Sequence, residues 1–293
     1  MKIGYPCINR SIGCTANSTF RLASYSEERI ATVVKNNLSC LRKILDFNLE
    51  KGFLFFRMSS DIVPFASHPV CKFKWASVFK KELLEMGDFI KKNSMRISMH
   101  PDQFVLLNSH DKDIVSRSVD ELKWHCRFLD SMRLDGSAKV QIHVGGAYGN
   151  KTEAIKRFIK IYKQLPKLIS KRLVIENDDR LFNLSDCLSI HEETGIPIIF
   201  DNFHHACNGN GTSCSDALKR AASTWREKDG ALMTDYSSQE PGERKGKHAE
   251  HIDIKDFSEY LRLNSSIDFD IMLEIKDKEK SAAKALAAAN KKL

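Results

Sequence analysis

A carboxylate and an imidazole stand three residues apart in the stretch Phe200-Asp201-Asn202-Phe203-His204-His205, directly after a short apolar run. At this spacing both side chains can reach one metal ion. Other short apolar runs along the chain are followed by residues of the same two kinds. The candidate metal ligands are His100, His143, Glu176, Asp201, His204, Asp235, His248 and Glu274. A mononuclear catalytic zinc takes about three protein ligands, so this larger set predicts more than one ion. Its mixed nitrogen and oxygen donors suit Mn²⁺ or Zn²⁺.

A centre of this kind suits phosphodiester hydrolysis. Two ions ~4 Å apart stabilise both the attacking and the leaving oxygen of the displacement. Glu176 or Asp201 could bridge such ions, and no Ser or Cys nucleophile is then needed. Any one of these side chains alone is more often a core residue held by hydrogen bonds. The joint case is stronger, because most of the eight candidates fall at or just past the ends of separate predicted strands.

Eight short apolar strands alternate with helices along the chain. The predicted strands are 3–6, 53–58, 95–99, 139–144, 172–176, a sixth that starts at 196 and runs into Asp201, 231–236 and 269–275. The predicted helices are 27–51, 74–93, 112–134, 151–170, 185–194, 214–227, 255–263 and 278–291. Strict alternation favours a parallel sheet, and eight units favour a closed barrel.

The fold prediction is therefore an α/β chain forming a single (β/α)8 TIM barrel domain over 1–293, with 278–293 as a C-terminal helix. The candidate ligands would then meet at the rim formed by the carboxyl ends of the strands. An open doubly wound sheet is the alternative. No Gly-x-Gly-x-x-Gly follows the first strand, which weakens a dinucleotide-binding version of that alternative.

Composition limits the class of partner and the compartment. The chain has 46 Lys and Arg against 38 Asp and Glu, a formal net charge of +8. This excess favours an anionic partner, although a basic enzyme with scattered lysines explains the charge alone equally well. No apolar run approaches ~18 residues, so no membrane span is predicted. The N-terminus is too short and polar for a signal peptide, and we therefore expect a cytoplasmic protein.

The eight cysteines form no Cys-x-x-Cys zinc pattern. Cys40 and Cys126 lie in predicted helices and are interpreted as small core residues. Cys7 and Cys14 lie in one predicted loop, and Cys207 and Cys214 lie in another with the same separation along the chain. The sequence leaves open whether either pair is bridged. A cytosolic setting favours free thiols throughout.

Two predicted loops suit a long anionic polymer. Gln103 and Phe104 follow the third strand at a loop tip, where they could enter a base stack. The alternative is a Phe104 ring folded back onto the barrel. Tyr5, Asn9 and Arg10 follow the first strand and could stack on bases or bind phosphate. Phosphate contacts are also expected from Arg57 and His68, which follow the second strand.

Several of these stretches resemble the UV damage endonuclease family over nearly the whole chain. The motifs are Gly4-Tyr5-Pro6-Cys7-Ile8-Asn9, Arg57-Met58-Ser59-Ser60, Ser98-Met99-His100-Pro101-Asp102-Gln103-Phe104, Ile175-Glu176-Asn177-Asp178, Phe200-Asp201-Asn202-Phe203-His204-His205 and Met272-Leu273-Glu274-Ile275-Lys276-Asp277-Lys278. The resemblance implies a barrel related to endonuclease IV, with up to three divalent ions, usually Mn²⁺. It also implies incision immediately 5′ to a UV photoproduct, with the damaged dinucleotide flipped out of the duplex.

The resemblance implies roles for particular residues. Except for Asp235, the candidate ligands named above match the family's ligand positions. Gln103 and Phe104 would probe the base stack, while Tyr5 and Asn9 would help hold the flipped lesion. Beyond the resemblance, we expect Glu176 to act in catalysis, with Lys276 or His68 stabilising charge on the phosphate.

The main departure from the family lies in the seventh strand. The family pattern Lys-x-His-x-Ser-Ser, whose lysine can be carboxylated to bind metal, is replaced by Met233-Thr234-Asp235-Tyr236-Ser237-Ser238. A methionine cannot carry a carboxylate, which leaves the third metal position open. We expect Asp235 to bind metal in place of the imidazole.

The function predicted is a metal-dependent endonuclease acting as a monomer on damaged double-stranded DNA, with two or three Mn²⁺ ions. Its nearest alternative is an abasic-site endonuclease of the endonuclease IV type. A two-metal sugar isomerase on a similar barrel and a DNA-binding protein without enzyme activity are the others.

Overall fold

Eight parallel strands close into a barrel in chain order, with the last strand paired to the first. The computed structural model describes residues 1–291 of the chain. The strands are β1 (Ile3–Pro6), β2 (Phe55–Met58), β3 (Arg96–Met99), β4 (Lys139–His143), β5 (Leu173–Glu176), β6 (Ile198–Asp201), β7 (Leu232–Tyr236) and β8 (Phe269–Leu273). The barrel prediction is confirmed, and the open-sheet alternative is wrong.

Helices cover the outside of the barrel between successive strands. They are α1 (Glu27–Lys51), α2 (Trp75–Val78), α3 (Lys80–Lys92), α4 (Lys112–Ser131), α5 (Lys151–Tyr162), α6 (Lys167–Ser170), α7 (Leu184–Thr194), α8 (Asn202–Asn208), α9 (Cys214–Ala222), α10 (Ile254–Leu263) and α11 (Glu279–Asn290). The last helix confirms the predicted tail up to Asn290, while residues 292–293 lie outside the described part of the chain.

Local sequence explains where α1 begins and ends. The Ser26 side chain accepts a hydrogen bond from the Arg29 backbone N–H, and Glu27 and Glu28 lie in the positively polarised first turn. Gly52 ends the helix in the left-handed conformation, with a φ of 78°.

Two helix predictions differ from the structure because of local backbone chemistry. The predicted helix 151–170 is divided into α5 and α6 at Pro166, which has no N–H to donate within a helix. The short helix α8 is absent from the sequence prediction. It starts where β6 ends, because the Asp201 carboxylate caps it by accepting from the His204 backbone N–H.

The interior of the barrel is built in layers. Phe55, Val174, Ile199, Met233 and Met272, from five different strands, form an apolar cluster separate from the main core. The main core fills the space between the strands and the helices. Because side chains alternate along a strand, residues two positions after the five named here point into the same interior.

Cys14 and Cys40 form a disulfide between the loop after β1 and helix α1. The expectation of free thiols throughout is therefore wrong, and Cys40 is more than a small core residue. The spacing comparison missed this bond because it considered only pairs within one loop, whereas packing of the loop on α1 joins residues 26 positions apart. Cys7, Cys207 and Cys214 are free, so neither short-spaced pair is bridged.

Cys126 is buried and free, as predicted for a small core residue. Within residues 1–291, no helix is long and apolar enough to cross a membrane.

Candidate metal centre

Strand alternation brings the charged side chains together above the apolar interior cluster. Each lies two residues after a member of that cluster, at or just beyond the carboxyl end of its strand. They are Arg57, Glu176, Asp201, Asp235 and Glu274. The parallel barrel thereby collects charges from distant parts of the sequence at one rim.

Glu176 lies at the middle of this rim and is almost fully buried. One of its oxygens, Oε2, is 3.5 Å from His100 Nε2 and 3.8 Å from His143 Nε2. The other, Oε1, is 3.0 Å from His204 Nδ1. His100, His143 and Glu176 offer ligand atoms within 4.8 Å of one another, and so do Glu176, Asp201 and His204. Glu176 belongs to both groups, which is the position of a carboxylate that bridges two ions.

An unsatisfied buried oxygen shows that the group of Glu176, Asp201 and His204 fits a metal ion. Among residues 1–291, no hydrogen-bond partner reaches Asp201 Oδ2 or His143 Nδ1, although both atoms are buried. One belongs to each ligand group. Buried polar atoms without partners are rare in folded proteins, and a cation would satisfy the Asp201 oxygen. The nitrogen and oxygen donors suit Mn²⁺ or Zn²⁺.

Neighbouring carbonyls orient two of the imidazoles. His100 Nδ1 is 2.9 Å from the Pro101 carbonyl oxygen, and His248 Nδ1 is 3.0 Å from that of Glu274. A carbonyl can only accept, so the proton lies on Nδ1 and the Nε2 lone pair is available for a metal.

The pKa shifts reflect an excess of negative charge. Burial alone would raise the pKa of Glu176, but the imidazoles of His143, His100 and His204 lower it well below its usual range. Burial raises the pKa of Asp201 well above its usual range, and His204 opposes this only in part. The pKa of His204 is raised to about 12, because Asp201 and Glu176 outweigh its burial. The two carboxylates therefore favour positive charge at this position.

Asp235, a predicted ligand, is in neither ligand group. Both of its carboxylate oxygens are 2.7 Å from Arg57 Nη2, and Oδ2 also accepts from Gln141 Nε2 at 2.5 Å. Arg57 Nη1 donates to Glu274. Burial raises the pKa of Asp235 to about 7, with Arg57 opposing the shift.

Arg57, a predicted phosphate contact, is buried beside Asp235. Only 3% of its side chain is exposed, because Asp235 and Glu274 hold the guanidinium inside the barrel. It is therefore not a free phosphate contact in this structure. His248 and Glu274 line the open part of the rim next to it, with His248 Nδ1 3.8 Å from Glu274 Oε2.

Tyr5 and Asn9 are buried, contrary to the expectation that they contact DNA. The Tyr5 hydroxyl donates to Asn48 Oδ1 at 2.6 Å and accepts from Asn9 Nδ2 at 2.8 Å. Its ring packs edge-on against Phe53 and Phe56. The side chain thus joins β1 to helix α1, and no face of the ring is open to a base.

Phe104 has 74% of its surface exposed, so the alternative in which it folds back onto the barrel is wrong. It follows Gln103, which is also exposed. The loop 101–103 separates two cavities that both reach His100. One, of about 460 Å³, extends to His143 and His204, and the other, of about 540 Å³, extends to Glu274 and Lys276.

The remaining predicted residues lie nearer the surface. Arg10 and Lys276 have exposed side chains, and Lys276 lines the second cavity. His68 is exposed on the loop after β2, where its ring packs against Phe65 and its Nδ1 accepts from the Val70 N–H. These contacts do not join His68 to the ligand groups.

Gln141 and Asn177 are site residues that the sequence analysis missed. Gln141 Nε2 donates to both Glu176 and Asp235. Asn177 Nδ2 donates to the Asp201 carbonyl, and the Asn177 carbonyl is 3.0 Å from His204 Nδ1. Gln141 could have been found from its position two residues before His143, which places both side chains in the barrel interior.

Fold and site together define a (β/α)8 barrel with groups of candidate metal ligands at the carboxyl ends of its strands. The family described as UV-endonuclease UvdE matches residues 1–291, and the chain belongs to this family. A relative from Clostridium perfringens named UV DNA damage endonuclease is 40% identical over 288 residues, covering 98% of this chain and 70% of its own length.

Solved structures agree with this assignment. The crystal structure of SacUVDE has 48% identity and a TM-score of 0.95, covering 99% of this chain and 98% of its own. Endonuclease IV from Thermus thermophilus has 14% identity and a TM-score of 0.57, covering 85% of this chain and 91% of its own. The second likeness shows a shared fold.

Proposed function

We propose that this chain is a metal-dependent DNA repair endonuclease that nicks the phosphodiester immediately 5′ to UV photoproducts in double-stranded DNA. The observation that carries the proposal is the position of Glu176, which belongs to two groups of ligand atoms at the rim of the barrel. Relatives named UV DNA damage endonuclease support the choice of cyclobutane dimers and 6-4 photoproducts as lesions.

The chain's own residues would hold the metal. His100, His143, Glu176, Asp201 and His204 supply the two groups of ligand atoms, for which we propose Mn²⁺. His248 and Glu274 are proposed as further ligands. When bound, such ions stabilise the charge of a phosphodiester in the transition state and lower the pKa of water.

The exposed loop residues would bind the duplex. The Phe104 ring is free to stack on a base beside a displaced lesion, and Gln103 next to it can donate to a base edge. Lys276 borders the cavity that reaches His100 and would neutralise phosphate charge there. Arg10 and His68 are proposed as outer phosphate contacts, and we propose that the enzyme acts as a monomer in the cytoplasm.

The test compares three end-labelled duplexes: one with a single thymine dimer, one with an abasic site and one undamaged. Each is incubated with the protein and Mn²⁺, with an EDTA control, and nicks are mapped on a sequencing gel. We expect cutting directly 5′ to the dimer, with a 3′-hydroxyl and a 5′-phosphate, and no cutting in EDTA.

Other outcomes would identify the alternatives. Cutting confined to the abasic duplex would refute the photoproduct assignment and favour the abasic-site endonuclease. Mn²⁺ binding without cutting of any duplex would favour the sugar isomerase. Binding of DNA with neither metal nor cutting would favour a DNA-binding protein.

A further inference from the structure

We infer that the Arg57 guanidinium takes the place of a further metal ion at the rim, so that the centre holds two divalent ions and not three. Asp235 is then a positioning residue that holds Arg57, and not a metal ligand. The inference rests on the proposed metal centre, and it concerns the ion count that the sequence leaves open.

The contacts of Asp235 contrast with those of Asp201, although both carboxylates are fully buried. Both Asp235 oxygens accept from Arg57 Nη2, and one of them also accepts from Gln141. Asp201 Oδ1 accepts from the His204 N–H, whereas its Oδ2 has no hydrogen-bond partner within residues 1–291 and has only the His204 imidazole, a proposed metal ligand itself, 3.5 Å away. Asp201 therefore has an oxygen ready for a cation, while the cation that Asp235 binds is already part of the chain.

Arg57 connects this pair to the rest of the rim. Nη1 donates to Glu274, and Nη2 donates to Gln141 Oε1 at 2.9 Å. The same Gln141 side chain donates to Glu176, the residue shared by the two ligand groups. A planar guanidinium with fixed donors suits this arrangement of carboxylates and an amide oxygen.

Strand β7 offers no second ligand for an ion at this position. Met233, two residues before Asp235, is fully buried in the apolar cluster inside the barrel. Thr234, between them, points away from the interior by strand alternation, and its hydroxyl donates to the Asp270 carbonyl. Asp235 would be the only β7 side chain to bind such an ion, and Arg57 already occupies it.

The charges of the rim lead to the same count. With metal bound, the ionised carboxylates of Glu176, Asp201, Asp235 and Glu274 would contribute four negative charges, and the Arg57 guanidinium one positive charge. Two divalent ions would leave a small positive excess, which a phosphodiester can neutralise. A third would raise this excess in a buried region that already contains a guanidinium, where repulsion between like charges is weakly screened.

Metal counting tests the inference without relying on catalysis. Protein stripped with EDTA is dialysed against Mn²⁺, and bound metal is measured by mass spectrometry of the digested protein. Electron paramagnetic resonance of the same samples distinguishes coupled pairs of Mn²⁺ from isolated ions. The variants are Asp235→Asn, the matched control Asp201→Asn and Arg57→Met, each checked for folding by circular dichroism.

We expect two ions per chain in the wild type and in Asp235→Asn, both with the coupled signal. Asp201→Asn should lose one ion, and Arg57→Met should gain one, because the Asp235 carboxylate and the one Glu274 oxygen that Arg57 holds become free to bind metal. Three ions in the wild type, loss of an ion from Asp235→Asn, or no gain in folded Arg57→Met would overturn the inference. The wild-type count stands even if a variant fails to fold.

A parallel nicking assay separates this inference from the proposed function. Three ions with cutting beside a thymine dimer would leave the function standing and refute the inference. Two ions bound without any cutting would leave the inference standing and refute the proposed function. Fewer than two ions in the wild type would remove the dinuclear centre and the inference with it.

Discussion

The two ends of the barrel both bury charge, but they balance it differently. At the amino ends of the strands, Arg96 is 3.3 Å from Asp270, Lys139 is 2.5 Å from Asp229, and Arg172 is 2.6 Å from Asp130. The carboxyl ends carry four carboxylates and four imidazoles, and Arg57 is the one buried Arg or Lys that residues 1–291 place at that end.

This difference separates stability from function. A cation paired with its own acid at the amino end needs nothing from outside the chain, and removing one partner leaves a buried charge uncompensated. The acids at the carboxyl end exceed the cations that the chain supplies. Such a region destabilises the folded chain on its own and gains free energy when a metal binds.

The variant Glu176→Gln tests whether the excess of acids at the carboxyl end binds metal, and it should have the largest effect. The amide cannot bridge two ions, so we expect loss of Mn²⁺ and a fall in the nicking rate of about 10³-fold or more, since metal catalysis contributes several kcal/mol. Nicking and metal content are measured together. Glu243→Gln, which changes an exposed acid paired with Lys247, serves as the control and should match the wild type. A rate within tenfold of the wild type would contradict the role of Glu176.

The amino end is tested by Arg172→Met. The guanidinium donates to Asp130 and to the carbonyls of Leu134, Asp135 and Ala138. Its loss should lower the free energy of unfolding by about 3 kcal/mol, measured in urea, mainly because the carbonyls lose their donor while Asp130 keeps Lys171. The nicking rate at a temperature where the variant is folded should not change.

The control for this variant is Arg262→Met, which removes an exposed pair with Glu259 and should cost less than about 1 kcal/mol. If both variants lost the same free energy of unfolding, the buried pair at the amino end would stabilise the protein no more than an exposed pair does.

Phe104→Ala tests the DNA-binding loop at the rim and leaves the charged residues at both ends of the barrel unchanged. The exposed ring should stabilise bound DNA by about 1–3 kcal/mol through stacking, so the variant should bind a thymine-dimer duplex roughly 10-fold to 100-fold more weakly. Phe104→Tyr keeps the ring and should bind as the wild type does. Unfolding in urea should be the same for all three. A loss of stability in Phe104→Ala would mean that the ring packs in the core after all.

The smallest expected effect is a dependence on pH at the amino end. Burial alone would raise the pKa of Asp130, but hydrogen bonds from Arg172 and Lys171 lower it. A lowered folded-state pKa stabilises the protein above the ordinary value of about 3.9 and loses that contribution as the pH falls through the folded-state value. The stability difference between the wild type and Arg172→Met should therefore shrink by up to about 1 kcal/mol between pH 6 and pH 3. Urea titrations at both pH values measure it, and a widening difference would have the wrong sign.

Much of the rim could be predicted from sequence because two short-range rules act together. Parallel strands in a closed barrel end at one rim, and alternation within each strand determines which side chains face the interior. These rules find His100, His143, Glu176, Asp201 and His204, since each lies at or just after a strand end.

The remainder depends on contacts between distant residues. The pairing of Arg57 with Asp235 spans 178 positions, and nothing in either local sequence indicates it. The burial of Tyr5 depends on the packing of α1 against β1. Helix α8 is too short to show an apolar period, and the expectation that Asp201 binds metal hides its role as the cap of that helix.

The disulfide between Cys14 and Cys40 has a consequence for how the loop after β1 behaves. Closing a segment of this length covalently removes unfolded-chain entropy equivalent to about 3–4 kcal/mol. In the folded protein the same bond ties the loop covalently to α1. A loop held to the barrel in this way would offer Arg10 at a nearly constant place, and reducing the bond would make the protein more sensitive to heat before it made the enzyme slower.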